Sequence, residues 1–460
     1  MQNQILEGHI YKIITKLSVP VVIGHMLMFF YNIADTIFIS YIDRSSETLM
    51  SGLGLVFPLF FLYIALGSGI FNGISSLVAR SIGARDEKTL SRVADSGLLL
   101  SLIAAAATII IAFLFSTPIL NILAGSQISQ EALGHAKDYF LYFSPGLSLM
   151  LIQMTLTGIL QGEGKPQYMG ISMTISTVLN IILDPVFIFV LGLGVKGAAL
   201  ASSISISISL LIIIMVFIRQ KSGLAIHWNI LKAKLSIIVE ILRIGIPHTI
   251  SMIILSFSFM ALNRLVGSIS EIAMSSYVIY GRINELIMLP AYGIGNAAMT
   301  LVGQNYGNKN YTRVYDIVKS CIKAGAAASF LFALIIIISA PLLFPLFSEV
   351  PEIVSFAIMQ ARIFGIGSIG ISASIVIGSA FQGAGRAMPG FVLTFTKSIL
   401  VLVPLSYFVV QVMGYGFQEF VYAGASVHII FAFISISWIV LFAKNLAHQK
   451  TDTGLFDKHN

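Results

Sequence analysis

The chain is a succession of long apolar runs, each closed by a short cluster of charged, Gly, Pro or Asn residues. A membrane-spanning helix needs about 20 mostly apolar residues. Runs of that length predict spans at 17–40, 53–79, 95–116, 139–160, 168–192 and 198–219. A second set is predicted at 240–266, 273–303, 316–346, 354–381, 389–412 and 418–443. The two sets repeat one another. Leu17-Ser18-Val19-Pro20 recurs 227 residues on as Ile244-Gly245-Ile246-Pro247. Gly69-Ile70-Phe71-Asn72 recurs as Gly293-Ile294-Gly295-Asn296 at an offset of 224. Gln161-Gly162-Glu163-Gly164-Lys165 recurs as Gln382-Gly383-Ala384-Gly385-Arg386 at an offset of 221. Six spans per copy is an even number, so both copies enter the membrane from the same side, and the pseudo-twofold axis relating them runs along the membrane normal. The expected fold is therefore an all-α polytopic membrane protein, with twelve transmembrane helices in two six-helix lobes. The lobes are expected at 1–219 and 239–460, with 220–238, containing Trp228, Lys232 and Lys234, as a polar-amphipathic cytoplasmic linker.

Composition closes off other classes. The sequence is 57% hydrophobic and 10% charged, against about a quarter charged in a water-soluble globule, which excludes a secreted enzyme or a nucleic-acid-binding domain. The partner is a lipid bilayer, with no nucleic acid. The net charge of +7 reflects topology instead. Lys12, Lys16, Arg80, Arg85, Lys88, Arg92 and Lys165 fall on one side of the predicted spans. So do Arg219, Lys221, Lys232, Lys234, Arg243, Lys309, Arg313, Lys319, Lys323, Arg386, Lys397, Lys444, Lys450 and Lys458. Only Arg44, Lys137 and Lys196 fall in the opposite loops, with Arg264, Arg282 and Arg362 in the helix halves next to them. Basic loops stay in the cytoplasm, so both termini are expected there, in the inner membrane of a prokaryotic cell. The N-terminus shows no removable signal peptide, and the lone Cys321 excludes a disulfide framework or a multi-cysteine metal site.

An ionisable group inside a span is costly, and so points to function. Asp35 lies within the first span, with Tyr31 and Asn32 four and three residues earlier on the same helix face. Asp184 lies in the fifth, with Asn180 one turn before it. Two such carboxylates in one six-helix bundle can take up a proton, or hold a bare cation if further oxygens converge. Asn180, Ser202 and Tyr31 are the candidate extra oxygens. The competing reading for each Asp is a structural hydrogen bond between helices. Pro20 is a candidate bending point. Arg282 and Glu285, three apart on the eighth span, either neutralise each other or act in gating or substrate contact. His25, His248 and His428 read as packing histidines, and no HExxH, GxSxG or paired-His spacing marks an enzyme.

At these residues the chain resembles the multidrug and toxic compound extrusion (MATE) family. Tyr31-Asn32-Ile33-Ala34-Asp35-Thr36 is similar to its first-helix motif, and Ala79-Arg80-Ser81-Ile82-Gly83-Ala84 and Gly158-Ile159-Leu160-Gln161-Gly162-Glu163-Gly164 to its loop motifs. Asn180-Ile181-Ile182-Leu183-Asp184-Pro185, followed by Gly192-Leu193-Gly194-Val195-Lys196-Gly197-Ala198-Ala199, is the most specific match. The resemblance implies an antiporter that exports amphipathic, often cationic compounds in exchange for H+ or Na+; no cofactor is expected, and the protein is expected to act as a monomer. Asp35 and Asp184, with Asn180, resemble the first-lobe cation site of the DinF-like branch, and Ser202 stands where relatives can carry Thr. Met154 and Thr157 fall where some relatives carry Asn, and with Asn32 they are candidates for the substrate cavity. In another branch the acids lie in the seventh and tenth helices, where this chain has Asn263, Arg264 and Arg362 instead. By the repeat offsets Asp35 pairs with Leu262, and Asp184-Pro185 is expected to pair near Val403-Pro404, so ion coupling is expected in the first lobe only. Two other classes stay open: a lipid or lipid-linked-sugar flippase of the same wider superfamily, and a membrane-embedded enzyme.

Overall fold

The computed structural model describes residues 2–42, 47–124, 128–224 and 229–456. Twelve long helices account for the predicted spans. The first six are α1 Ile10–Ser40, α2 Glu47–Ala84, α3 Glu87–Ala124, α4 Gln130–Gly162, α5 Gln167–Val190 and α6 Gly194–Ile218. The others are α7 Leu235–Gly267, α8 Glu271–Gly307, α9 Tyr311–Leu343, α10 Pro351–Gly383, α11 Met388–Val412 and α12 Phe417–Phe456. A short helix, Gln2–Glu7, precedes them, and no strand occurs among the described residues. All twelve satisfy the length and apolarity needed to cross a bilayer.

Most helices run past the apolar stretch that predicted them. α3 was expected from residue 95 and begins at Glu87. Apolarity ends at the lipid boundary, whereas a helix ends where its terminal amides find acceptors. Asp86 supplies them for α3, accepting from the Thr89 amide at 3.0 Å and the Thr89 hydroxyl at 2.6 Å. These bonds hold its carboxyl below the usual carboxylate range. Ser129 and Ser270 cap α4 and α8 in the same way. Within the spans the pattern is turned outward. On α3, Ile110, Phe113, Leu114 and Phe115 are exposed, whereas Ala94, Ser101, Ala105, Ala112 and Ser116 are buried. Lipid takes the large side chains, and the small ones allow close helix contact.

The helices form two compact units. The C-unit comprises Met1–Val22, Ala79–Arg85 and Ile246–Asn460, and the N-unit Ile23–Val78 and Asp86–Gly245. The end of α2 joins the C-unit through glycine. A β-carbon on Gly83 would overlap the Gln304 carbonyl, and one on Gly307 would overlap the Arg80 carbonyl. The repeated motifs thus touch backbone to backbone, and Arg85 and Lys309 follow them with φ of 55° and 56°. The N-terminal helix closes the adjacent surface: Ile5 is fully buried, and its carbonyl accepts from Asn305 and Arg313 at 3.4 Å each. Leu17, Leu301, Ile317, Ile377 and Phe381 form part of the core beneath it.

In the N-unit, Val56, Ala112, Tyr139, Phe143, Leu147, Ile188 and Ala198 belong to one core, with Phe60 edge-on to Phe143 at 4.8 Å. Glu163, buried in the turn after α4, gathers the start of the expected linker. Its carboxylate accepts from the Gly223 and Leu224 amides at 3.0 Å and pairs with Lys165 at 2.8 Å, and the Lys165 ammonium donates to the Lys221 carbonyl at 2.7 Å. The linker is docked along these residues. Trp228 and Arg44 lie outside the described residues.

Backbone geometry refines the repeat. The turn with Gly164 at φ 81° and Lys165 N–H donating to the Leu160 carbonyl at 2.8 Å recurs with Gly385 at φ 77° and Arg386 donating to Phe381 at 2.9 Å, an offset of 221. Further on, α5 ends in a π-turn, Val186–Val190, with Gly192 at φ 66°. α11 ends in the same way at Phe408–Val412 with Gly414 at φ 70°, an offset of 222. The second copy has therefore gained one residue between 386 and 408. A π-helical turn is how a helix absorbs an inserted residue, and α11 carries one at Thr396–Leu402 where the matching part of α5 is regular. Two readings sharpen. The residue that corresponds to Asp184 in the repeat is Ser406, two beyond the expected Val403-Pro404, and Lys397, inside the predicted span 389–412 yet counted with the cytoplasmic charges, lies on that π-turn of α11.

Candidate functional site

α1, α5 and α6 of the N-unit bring five predicted residues together. Asp184 and Asn180, one turn apart on α5, are fully and almost fully buried, and Ser202 on α6 is 3% exposed. Asn180 donates from Nδ2 to Ser202 Oγ at 3.1 Å, and the Tyr31 hydroxyl on α1 lies 3.3 Å from the same oxygen. Ser202 thus ties α1, α5 and α6 at one point. The carboxyl groups of Asp35 and Asp184 lie within electrostatic range of each other. No basic side chain pairs with either among the described residues.

The unsatisfied atoms define the chemistry. Asp35 Oδ1, both carboxyl oxygens of Asp184 and Asn180 Oδ1 are buried with no hydrogen-bond partner among the described residues. All are acceptors. A buried polar atom without a partner costs about 1–3 kcal/mol, more when charged, and two ionised carboxylates side by side repel. What the cluster lacks is positive charge or a donor, which a proton or a small oxygen-preferring cation supplies. Asn180 Oδ1, Ser202 Oγ and the Tyr31 hydroxyl are the oxygens beyond the carboxylates able to complete a shell.

Sequence reasoning missed two neighbours. Tyr139 on α4 lies within electrostatic range of Asp35, Tyr31 and Asp184 and is 4% exposed. It sits among buried apolar residues, Ala136, Phe140 and Phe143, and nothing in the sequence set it apart from them. Nearer the other end of the same helices, Gln153 donates to Ser172 and Ser209 at 2.9 Å each, so a second polar cluster lies between α4, α5 and α6.

The other candidates lie elsewhere. Met154 packs against Gly67 of α2, and the Thr157 hydroxyl is spent on the Gln153 carbonyl at 2.9 Å. The side chain of Asn32 lies outside the described residues. Arg282 and Glu285 are within electrostatic range of each other on α8, in the C-unit. Pro20 lies inside α1, two residues before the point where that helix passes from C-unit to N-unit. His248 packs as expected, its Nδ1 3.0 Å from the Gln382 amide.

A family model named MatE matches residues 20–186 and again 247–408, once in each half of the chain. The chain belongs to the MatE family. It is 25% identical over 351 residues to the multidrug export protein MepA of Staphylococcus haemolyticus (strain JCSC1435), covering 76% of each chain. To MepA of Staphylococcus aureus (strain N315) it is 23% identical over 316 residues, 69% of each. Among solved structures, an outward-facing multidrug resistance MATE family transporter of the MOP superfamily superposes with a TM-score of 0.91 at 27% identity, over 97% of this chain and 98% of that one. A MOP superfamily transporter from Pyrococcus furiosus Vc1 (DSM3638), described as having a binding pocket of reversed polarity that suggests a different function, matches at 0.89 and 27%, over 96% and 98%. This MatE protein is a multi-pass membrane transporter and not an enzyme.

Proposed function

We propose that this MatE protein is a cation-coupled antiporter that exports small amphipathic, often cationic compounds by alternating access, exchanging them for H+ or Na+. The single observation that carries the reading is the carboxyl pair Asp35 and Asp184, whose orphaned oxygens share one buried site with the acceptor oxygen of Asn180. MepA, a relative, is a multidrug export protein, and the same role is proposed here. The pair attracts an organic cation or the coupling ion, and either removes the repulsion between the two carboxylates. Each bound cation weakens the pull of the pair on the next, and ion binding squeezes the drug site as the first-lobe helices repack, so drug and ion compete, which is what antiport requires. Ion binding lets the first-lobe helices repack, with α1 bending at Pro20. The lobes are proposed at 1–219 and 239–460, in the inner membrane of a prokaryotic cell with both termini cytoplasmic and the protein acting as a monomer.

The test is dye efflux from liposomes containing the purified protein, under an imposed H+ or Na+ gradient. A cationic dye should move uphill with one of the two gradients and a neutral analogue of similar size should not. Movement indifferent to both gradients would refute coupling, and transport of lipid headgroup analogues in place of dye would favour a flippase.

A further inference from the structure

The C-unit carries a half-buried charge that the coupling scheme does not use. Between Glu352 and Asp452 the sequence holds a single acid, Glu419 at the start of α12, while Lys397 lies within α11. At 1.5 Å per residue, nine residues from Met388 place Lys397 about 14 Å along the helix, close to half the thickness of a hydrocarbon core of about 30 Å. Its side chain is partly buried, and no carboxylate forms an ion pair with it among the described residues.

Three further observations converge there. Lys397 is held on the π-helical turn Thr396–Leu402, the one-residue insertion that the first copy lacks. It lies within electrostatic range of the His428 imidazole on α12, whose Nδ1 is buried without a hydrogen-bond partner. The His428 ring meets Phe364 of α10 at 6.1 Å, and Phe364 stacks on Tyr280 of α8 at 5.9 Å. By the repeat, α11 and α12 correspond to α5 and α6, so Lys397 and His428 occupy the helices that in the first copy bear Asp184 and Ser202. The polarity is reversed. A lysine that merely snorkels to the membrane surface requires neither a histidine neighbour near mid-span nor an inserted residue.

We propose that Lys397, with His428 and the Phe364 ring, forms an anion-accepting subsite that takes the carboxylate of a zwitterionic amphiphile, so that acidic groups on the transported compound are recognised in the C-unit. An ammonium in low dielectric binds one carboxylate by a charge-assisted hydrogen bond, a vacant Nδ1 on the imidazole adds a second polar contact, and the aromatic face takes the apolar body. The inference rests on the export reading and adds to it the C-unit residues that recognise an acidic group on the compound.

The test compares rhodamine B, a zwitterion with a free carboxylate, with its ethyl ester, which is a plain cation. Equilibrium binding to the purified full chain is read by fluorescence anisotropy, so the result does not depend on transport. Lys397→Met should weaken rhodamine B binding by about tenfold or more, the loss of one charge-assisted contact, and leave ester binding within about twofold; Lys397→Arg should keep both. If Lys397→Met does not fold, Lys397→Gln serves in its place. An unchanged ratio of acid to ester affinity in the neutral variant, or no binding of rhodamine B to the wild-type chain, overturns the subsite. Intact discrimination in binding without gradient-driven efflux of either dye would instead remove the export reading and leave the subsite standing.

Discussion

Asp184→Asn is the sharpest perturbation of the coupling site. It keeps the size of the side chain, removes one of two adjacent negative charges and adds an amide donor facing Asp35. Two unit charges about 4 Å apart interact by about 4 kcal/mol at an effective dielectric constant near 20. Relief of that repulsion is the gain available to an incoming ion, and at 1.4 kcal/mol per factor of ten it amounts to about a thousandfold in ion affinity. The variant starts without that repulsion, so the part of the ion affinity that comes from relieving it, about a thousandfold, is lost. Gradient-driven efflux in proteoliposomes should therefore fall to the protein-free leak, and Asp35→Asn should do the same. Thermal stability in detergent should not fall, because the substitution removes a buried charge whose oxygens have no partner. Glu285→Gln, which changes a carboxylate already beside Arg282, should lower efflux only in part. Full ion-coupled efflux by both Asp variants would refute the reasoning, and loss of efflux accompanied by unfolding would show the pair to be structural.

Other sites give independent checks. Gly83→Val should destabilise the protein by about 1–3 kcal/mol or more, read as a lower thermal midpoint, because the new side chain meets the Gln304 backbone. Glu163→Gln, which weakens the contacts to Lys165 and to the Gly223 and Leu224 amides, should cost about 1.5–3 kcal/mol locally and speed tryptic cleavage after Lys221. Cysteines introduced at the exposed residues Arg85 and Asn308 should react with an impermeant thiol reagent only from the cytoplasmic side, with no background from the buried Cys321; labelling from outside in intact cells would overturn the topology.

The spans were legible because lipid imposes one requirement on every helix, an apolar length, and α1 to α12 all meet it. The helix ends were not, since capping groups such as Asp86 lie in the aqueous phase and carry no hydropathy signal. The residues of the carboxyl cluster were legible because Asp35 and Asp184 are acids in apolar runs, and such residues stand out one at a time. Tyr139 did not stand out, because an amphipathic ring is ordinary in a membrane helix. The setting of Lys397 was legible only in part. Hydropathy already puts Lys397 inside the predicted span 389–412, although it was counted with the cytoplasmic charges; that it sits on an inserted π-turn shows only in the shift of the repeat from 221 to 222, at the turns of Gly385 and Gly414. Pro20 showed as a residue but not as a boundary, since the division of α1 after Val22 depends on packing partners distant in sequence.

The central claim is that drug and ion compete for one carboxyl pair, and ion release on drug binding tests it without any membrane. A cationic dye titrated into purified protein should release H+, seen with a pH indicator in weak buffer, or Na+, seen with an ion-selective electrode, in proportion to the dye bound. The Asp35→Asn/Asp184→Asn double variant should release neither. Dye binding by the wild-type protein with no ion release, or equal release from the double variant, would contradict the account.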